Sequence, residues 1–350
     1  MGFHICITNP KAVEISLQNG VYGNVGNAAE SRRTLWGKIK DLYAVKPGDL
    51  IVLYVKTQKE LYGVFKVTSI PYICSDSLFG DSEHYPFRFN FKICKNFPNG
   101  VPSFEFYSLI ETGKINTIYT LEKDVNSSYR GIRQLFQTEF QYIVDLFHKY
   151  NPKTNPDAVQ STNKIDFDLN KTEAIDFDLT ELDNIIEPVS ITFNQIPHQG
   201  KSAILEDVLH AYLIYNLIHN TNEVSNHLEL NEFSELILEA PIFKSMQYRS
   251  DILATFNRDN KTIFYSFIEL KKKSTVGINQ LSQLIKYLKS YASAKALSIN
   301  SYEGIYISTK FSEDTINYLE HRKTVEGENI VKLISYFVDE TGKVILKRIV

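Results

Sequence analysis

Glu269 and Lys271 stand two positions apart at the end of a very apolar run, 262–270. Side chains alternate between the faces of a β-strand, so a strand here sets the carboxylate beside the ammonium and turns Leu270 into the opposite layer. Asp251 lies near the start of the preceding apolar run, 250–256, and the turn residues Asn257-Arg258-Asp259-Asn260 fold that run back against the one ending in Glu269. The two acids thereby converge on one point. A dication held by two carboxylates orients an in-line water and polarises a phosphoryl oxygen, which is the chemistry of phosphodiester hydrolysis. A neighbouring lysine can orient or deprotonate that water, or stabilise the developing charge. Glu206, on the inward face of the first helix of this half, adds a third acid, binding metal directly or through water. Oxygen ligands without His or Cys suit Mg²⁺, with Mn²⁺ as the alternative, better than zinc. Each residue alone has an ordinary reading: a solvated ion pair, a turn cap, a surface helix acid.

The elements that must position them are visible as periodicities. In 202–219 Ile204, Leu205, Val208, Tyr212 and Tyr215 fall on one helical stripe, with Ser202 as N-cap. Strands follow at 236–238, 250–256 and 262–270, then a helix over about 278–292, a strand at 304–308, and a C-terminal helix and strand. Before Gly200 the pattern differs. The runs 3–8, 50–56, 61–68, 87–93 and 103–108 read as strands bounded by turns such as Lys46-Pro47-Gly48-Asp49. Residues 130–150 read as a helix, with Ile132, Leu135, Phe136, Ile143 and Phe147 at helical spacing. Three segments result: a β-rich barrel with helices over 1–150, a linker over 151–198, and an α/β domain over 199–350.

Composition fits this division. A chain of 350 residues with 43% apolar and 23% charged residues can bury two cores. No apolar run approaches the roughly 20 residues of a membrane span, so no membrane partner is expected. Three cysteines, Cys6, Cys74 and Cys94, without a C-x-x-C spacing, and a start without a basic lead point to a reducing, cytoplasmic compartment and away from a cysteine zinc site. Lys/Arg against Asp/Glu counts are 17 to 14, 3 to 9 and 18 to 18 in the three segments, giving +3, −6 and 0, which sum to the net charge of −3. The linker contains a near-repeat, 164–170 and 174–180, read as duplicated acidic segments. A sharper reading has Phe167 and Phe177 dock on a neighbouring surface, or the acidic stretch mimic nucleic acid.

The segments Ile204-Leu-Glu-Asp-Val208, Tyr248-Arg-Ser-Asp-Ile-Leu253, Phe267-Ile-Glu-Leu-Lys271 and Gln283-Leu-Ile-Lys-Tyr287 resemble, in order and spacing, the core of PD-(D/E)XK nucleases, especially the RecB-like branch that includes archaeal NucS endonucleases. The resemblance covers roughly 200–310. It implies an αβββαβ core with Glu206, Asp251, Glu269 and Lys271 as the active-site set. Gln283 and Tyr287 match the Q-x-x-x-Y helix motif of that branch, and at i and i+4 they share a face that could touch the active site or the DNA backbone.

In the first segment, Gly23-Asn24, Trp36, Lys46-Pro-Gly-Asp-Leu-Ile-Val-Leu-Tyr54, Leu61-Tyr-Gly-Val-Phe-Lys-Val67 and Tyr85-Pro-Phe-Arg-Phe-Asn90 resemble the EVE/PUA-like barrel superfamily over about 1–150. Relatives hold a flipped, modified base in an aromatic pocket, where stacking offsets an unstacking cost of a few kcal/mol. The resemblance implies Trp36 as the leading pocket residue, with Tyr22, Asn24 and Tyr72 on flanking loops. Arg32 and Arg33 could meet phosphates. With aromatics at 13% of the chain, the alternative for each ring is ordinary packing.

Together these readings give an α+β, two-domain, modification-dependent restriction endonuclease acting on DNA. One catalytic set per chain implies a homodimer if both strands are cut. The alternatives are a repair nuclease for mismatched, branched or single-stranded DNA and a nucleic-acid-binding protein that does not cut.

Overall fold

The chain forms two units in the computed structural model, 1–192 and 193–350. The residues described are 1–27, 29–80, 84–95, 97–121, 130–152, 186–190, 206–219, 223–230, 232–243, 245–258, 261–326 and 330–350. The duplicated acidic segments with Phe167 and Phe177, Ser202 with the rest of 202–205, and the turn residues Asp259 and Asn260 lie outside them. No described helix is long and apolar enough to cross a membrane.

The first unit contains β1 (Phe3–Thr8), α1 (Pro10–Asn19), β2 (Val21–Asn24), α2 (Arg32–Tyr43), β3 (Leu50–Val55), β4 (Glu60–Val67), β5 (Tyr72–Ile73), β6 (Phe87–Lys95), β7 (Val101–Pro102), α3 (Ser103–Glu111), β8 (Ile132–Leu135), α4 (Gln137–Tyr150) and β9 (Val189–Ser190). Its strands follow the order β8-β1-β3-β4-β6-β5-β9, with β2 on β6 and β7 on β4. β6 changes partners midway: from Phe91 onward it pairs β4, while Phe87 to Asn90 pair β2, with Phe87 and Arg88 also pairing β5. This exchange curls the sheet into a half-barrel. One side of β1 sends Phe3, Ile5 and Ile7 into a core with Val52 and Tyr54 and with Phe140, Ile143 and Phe147 of α4. Local signals set the helix ends. Asn9 caps α1 by accepting from the Ala12 amide at 2.8 Å, and Pro10 occupies the first helical position.

Two expected elements differ. Residues 103–108 form helix α3, not a strand: Pro102 ends β7, and the buried Phe106 and Leu109 are three apart, on one helical face. Residues 132–135 are strand β8, antiparallel to β1, and the helix begins only at Gln137. Glu139 fixes that start, since its Oε2 accepts from the Phe136 amide at 3.1 Å. Within 151–198, Val189 and Ser190 form β9 and pair with β5.

The second unit contains α5 (Glu206–His219), α6 (Glu223–Leu228), β10 (Glu235–Phe243), β11 (Ser245–Arg258), β12 (Lys261–Val276), α7 (Ile278–Ala294), β13 (Tyr302–Phe311), α8 (Glu313–His321), β14 (Val331–Val338) and β15 (Val344–Arg348). The sheet runs β10-β11-β12-β13-β14-β15 in chain order. The first three strands form an antiparallel meander, while β12, β13 and β14 are parallel. A parallel pair needs a crossover, and α7 supplies it between β12 and β13. Gly304 lets α7 approach β13, because a Cβ there would stand 2.7 Å from Leu288 Cδ1. The helix, three-strand, helix, strand order expected from the sequence is present, as are a C-terminal helix, α8, and strand; α6 is inserted after the first helix, and the C-terminal strand is a pair, β14 and β15.

Candidate active site

The registers of three strands place one residue of each at the same level. Leu238 pairs with Ile252 and Ala240 with Ser250, so Glu239 stands opposite Asp251. Ile252 pairs with Ile268, so Asp251 stands opposite Glu269. Glu269 in turn pairs with Tyr306 of β13. Side chains at one level of a ladder share a face, so β10 to β13 present Glu239, Asp251, Glu269 and Tyr306 as a row.

Asp251 is oriented by the backbone: its Oδ2 accepts from the Leu270 N–H at 2.7 Å. Glu269 Oε1 accepts from Lys271 Nζ at 2.8 Å, with the two side chains 22% and 34% exposed. Glu206, at the start of α5, is close enough for its charge to act on Glu269, Lys271 and Tyr306. The structure thus brings together Glu206, Asp251, Glu269 and Lys271. Gln283 and Tyr287 meet one another on α7, where Gln283 Nε2 donates to the Tyr287 hydroxyl.

The electrostatics are those of crowded acids. Removal from water pushes the Asp251 carboxyl well above its ordinary value, and the Glu269 and Glu239 charges push it further. Burial also raises Glu269, opposed by Lys271 and reinforced by Glu206 and Glu239. Burial by itself would lower the Lys271 ammonium, but Glu269, Asp251 and Glu206 outweigh it and hold the proton on. These charges favour the ammonium form of Lys271. Burial and the Glu269 charge keep the Tyr306 phenol protonated. The acids fit a hard dication, whose charge would relieve their repulsion; Asp251 and Glu269 would hold it.

Sequence reasoning missed two potential ligands. His210 lies one turn after Glu206 on α5, and ligand atoms of His210, Glu239 and Asp251 all fall within 4.8 Å of one another. Glu239 adopts a left-handed φ of 52° inside β10. Such a conformation is strained for a non-glycine residue and clusters at functional sites.

In the first unit, the proposed pocket residues are mostly interior. Trp36 on α2 is 1% exposed and Tyr22 on β2 is fully buried. The Tyr22 hydroxyl donates to the carbonyls of Gly131 at 2.8 Å and Ile7 at 3.1 Å, and its ring stacks on Phe89 with centroids 5.0 Å apart. Asn24, two residues on and on the same face of β2, abuts Gly131. Its buried Nδ2 has no hydrogen-bond partner among the described residues. The Tyr72 hydroxyl donates to Asn90 Oδ1 at 2.8 Å. Tyr22, Asn24 and Tyr72 lie on strands and not on the flanking loops expected, because all three belong to paired backbone: Tyr22 and Asn24 on β2, gathered around Gly131, and Tyr72 on β5. Arg32 and Arg33 are exposed in the first turn of α2.

No family model matches the chain. Human THYN1, solved in complex with 5-methylcytosine-containing DNA, is 15% identical with a TM-score of 0.30, over 45% of this chain and 100% of that one. The YTH domain of Zygosaccharomyces rouxii MRB1, in complex with N6-methyladenosine RNA, is 15% identical with a TM-score of 0.27, over 42% of this chain and 86% of that one. In sequence, the UPF0310 protein PH1033 of Pyrococcus horikoshii is 32% identical over 108 residues, which are 27% of this chain and 68% of that protein. With more than two thirds of that relative covered at this identity, the chain belongs to the UPF0310 family.

Proposed function

We propose that the protein is a Mg²⁺-dependent DNA endonuclease whose second unit hydrolyses a phosphodiester and whose first unit selects the target by a modified base. The observation that carries the reading is the convergence of Asp251 and Glu269, on adjacent strands, with Lys271 ion-paired to Glu269. Asp251 and Glu269 would hold the metal, with Glu206 as a direct or water-mediated third acid. The metal supplies water activation and charge neutralisation at phosphorus. Lys271, protonated, stabilises charge on the phosphoryl oxygens. Gln283 and Tyr287 lie on an acid-free helix that can approach the DNA backbone.

The first unit is proposed to take a modified base, the class of ligand carried by the nucleic acids bound to THYN1 and to the MRB1 YTH domain. Support within the chain comes from the Asn24 amide, a buried donor against Gly131, whose carbonyl takes the Tyr22 hydroxyl; such a donor suits the edge of an extruded base. Cutting both strands calls for two copies of the site, hence a homodimer on DNA.

The test compares wild type with Glu269→Ala and Lys271→Ala in Mg²⁺ on duplexes carrying methylated cytosine, methylated adenine, a mismatch or neither. Cleavage of a modified duplex by wild type alone is the expected result. Equal cleavage by all three proteins overturns the site, and a preference for mismatched DNA moves the substrate to repair. A monomeric mass on DNA removes the dimer.

A further inference from the structure

We infer that Lys66, Lys92 and Lys95 form a phosphate-binding face on the first unit, along which the backbone of a nucleic-acid strand runs toward Tyr72. The inference deepens the reading of this unit as a nucleic-acid binder and rests on that reading for the identity of the polymer, not for the anion-binding character of the face.

Register is the first support. One level of the sheet crosses five strands as Leu135, Phe3, Leu50, Lys66 and Lys92, and side chains at one level share a face. Leu135, Phe3 and Leu50 pack into the core shared with α4, where the Phe3 ring lies 5.1 Å from that of Phe140. Where this apolar stretch ends, the row turns to two exposed lysines directly opposite one another on β4 and β6.

The second support is a bulge. Phe65 pairs with Ile93 but Val64 pairs with Lys95, so Cys94 is the extra residue. In an unbroken strand residues 92 and 95 would point to opposite faces, because an odd number of steps changes the face. The bulge returns Lys95 to the face of Lys66 and Lys92.

Charge is the third. Like charges set opposite one another across two strands are destabilising, and among the described residues no carboxylate pairs with Lys66, Lys92 or Lys95. An anion shared by the three relieves that repulsion. An ammonium is a point charge that follows a phosphate without the paired geometry of a guanidinium, which suits a backbone read for its charge alone.

Continuity gives the direction. The next level of the same face is Thr68 and Asn90, joined by the Thr68 amide and the Asn90 carbonyl at 2.8 Å. Asn90 Oδ1 in turn accepts from the Tyr72 hydroxyl. The lysines therefore lead to one of the residues expected at the base pocket.

The test uses the full-length protein in EDTA, with fluorescence anisotropy on a labelled duplex carrying methylated cytosine and on its unmodified counterpart, over a series of KCl concentrations. The double variant Lys66→Gln/Lys92→Gln should lower the slope of log affinity against log salt by about 2, and Lys95→Gln by about 1, because fewer counterions are released. Both duplexes should weaken by the same factor, since phosphate contacts carry no sequence information. Lys66→Glu controls for folding: the new carboxylate faces Lys92, so this variant should melt at or above the wild-type temperature while binding DNA more weakly. An unchanged salt slope in the double variant overturns the proposal, as does wild-type affinity in Lys66→Glu. Wild-type protein that binds polyglutamate more tightly than either duplex assigns the face to an acidic protein and also overturns it. The preference for the methylated duplex tests base selection by itself, so its absence in wild type leaves the salt slope to decide the lysine face.

Discussion

The backbone N–H of Leu270 donates to Oδ2 of Asp251 at 2.7 Å, tying a candidate metal ligand on one strand to the residue between Glu269 and Lys271 on the next. The bond aims the carboxylate and leaves its other oxygen for a ligand. Asp251→Asn keeps an acceptor for Leu270 but removes a charge that burial, Glu269 and Glu239 all oppose. Its melting temperature in EDTA should exceed that of wild type. Asp251→Ala strips the acceptor and should cost about 1 to 3 kcal/mol. Both should lose about 100-fold or more in Mg²⁺-dependent cleavage. An Asn variant less stable than the Ala variant would contradict the account.

Gln283 and Tyr287 bond to one another on the outer part of α7, where Gln283 is exposed. Removing an exposed side chain leaves stability within about 0.5 kcal/mol. Gln283→Ala should therefore melt like wild type while weakening cleavage by about 10-fold, through one lost contact to substrate. A large drop in melting temperature would make the pair a structural clip.

Gly131 is pressed against Asn24: a Cβ there would lie 2.4 Å from Asn24 Nδ2. Gly131→Ala should displace Asn24 and disturb the Tyr22 hydroxyl, at a cost of about 1 to 3 kcal/mol. Binding of a duplex with a modified base should weaken more than binding of an unmodified one. Equal weakening of both, measured by fluorescence anisotropy, would detach this corner from base selection.

Asp49 accepts from the Gly2 amide at 2.5 Å, the Lys46 amide at 3.0 Å and His4 Nε2 at 3.0 Å. Burial alone would raise its carboxyl, but His4 and the two amides outweigh burial and hold it below its ordinary value. A depressed carboxylate stabilises the fold above its unfolded pKa of about 3.9 and loses that contribution as the pH falls through the folded value. Asp49→Asn should thus cost about 2 kcal/mol at neutral pH, with the gap to wild type narrowing on acidification below pH 4. A gap that is constant with pH would assign the effect to packing.

Asp251 and Glu269 could be located from sequence because each sits at an end of a strongly apolar run, where period-two alternation makes the polar residue conspicuous. Glu239 was hidden by its backbone. In sequence the apolar run 236–238 stops at a charged residue followed soon by Pro241, yet β10 passes through a left-handed Glu239 and continues to Phe243. His210 sits among Val208, Leu209, Ala211 and Tyr212, all buried, so no spacing in the sequence sets it apart from the helix core. Phe104 and Phe106 alternate as in a strand, but Phe104 is 65% exposed and the three-residue step from Phe106 to Leu109 is the helical one. Strands of two residues, β5 and β9, carry too few positions for any period to register.

β9 has a practical corollary for anyone dissecting the protein. It borders β5, and Cys74 Sγ donates to the Ile186 carbonyl at 2.9 Å just before it. A first unit excised at residue 150 would leave β5 with unsatisfied amides and carbonyls, a template for intermolecular pairing. The fragment that behaves as an independent unit should end near residue 192 instead, carrying its own edge guard.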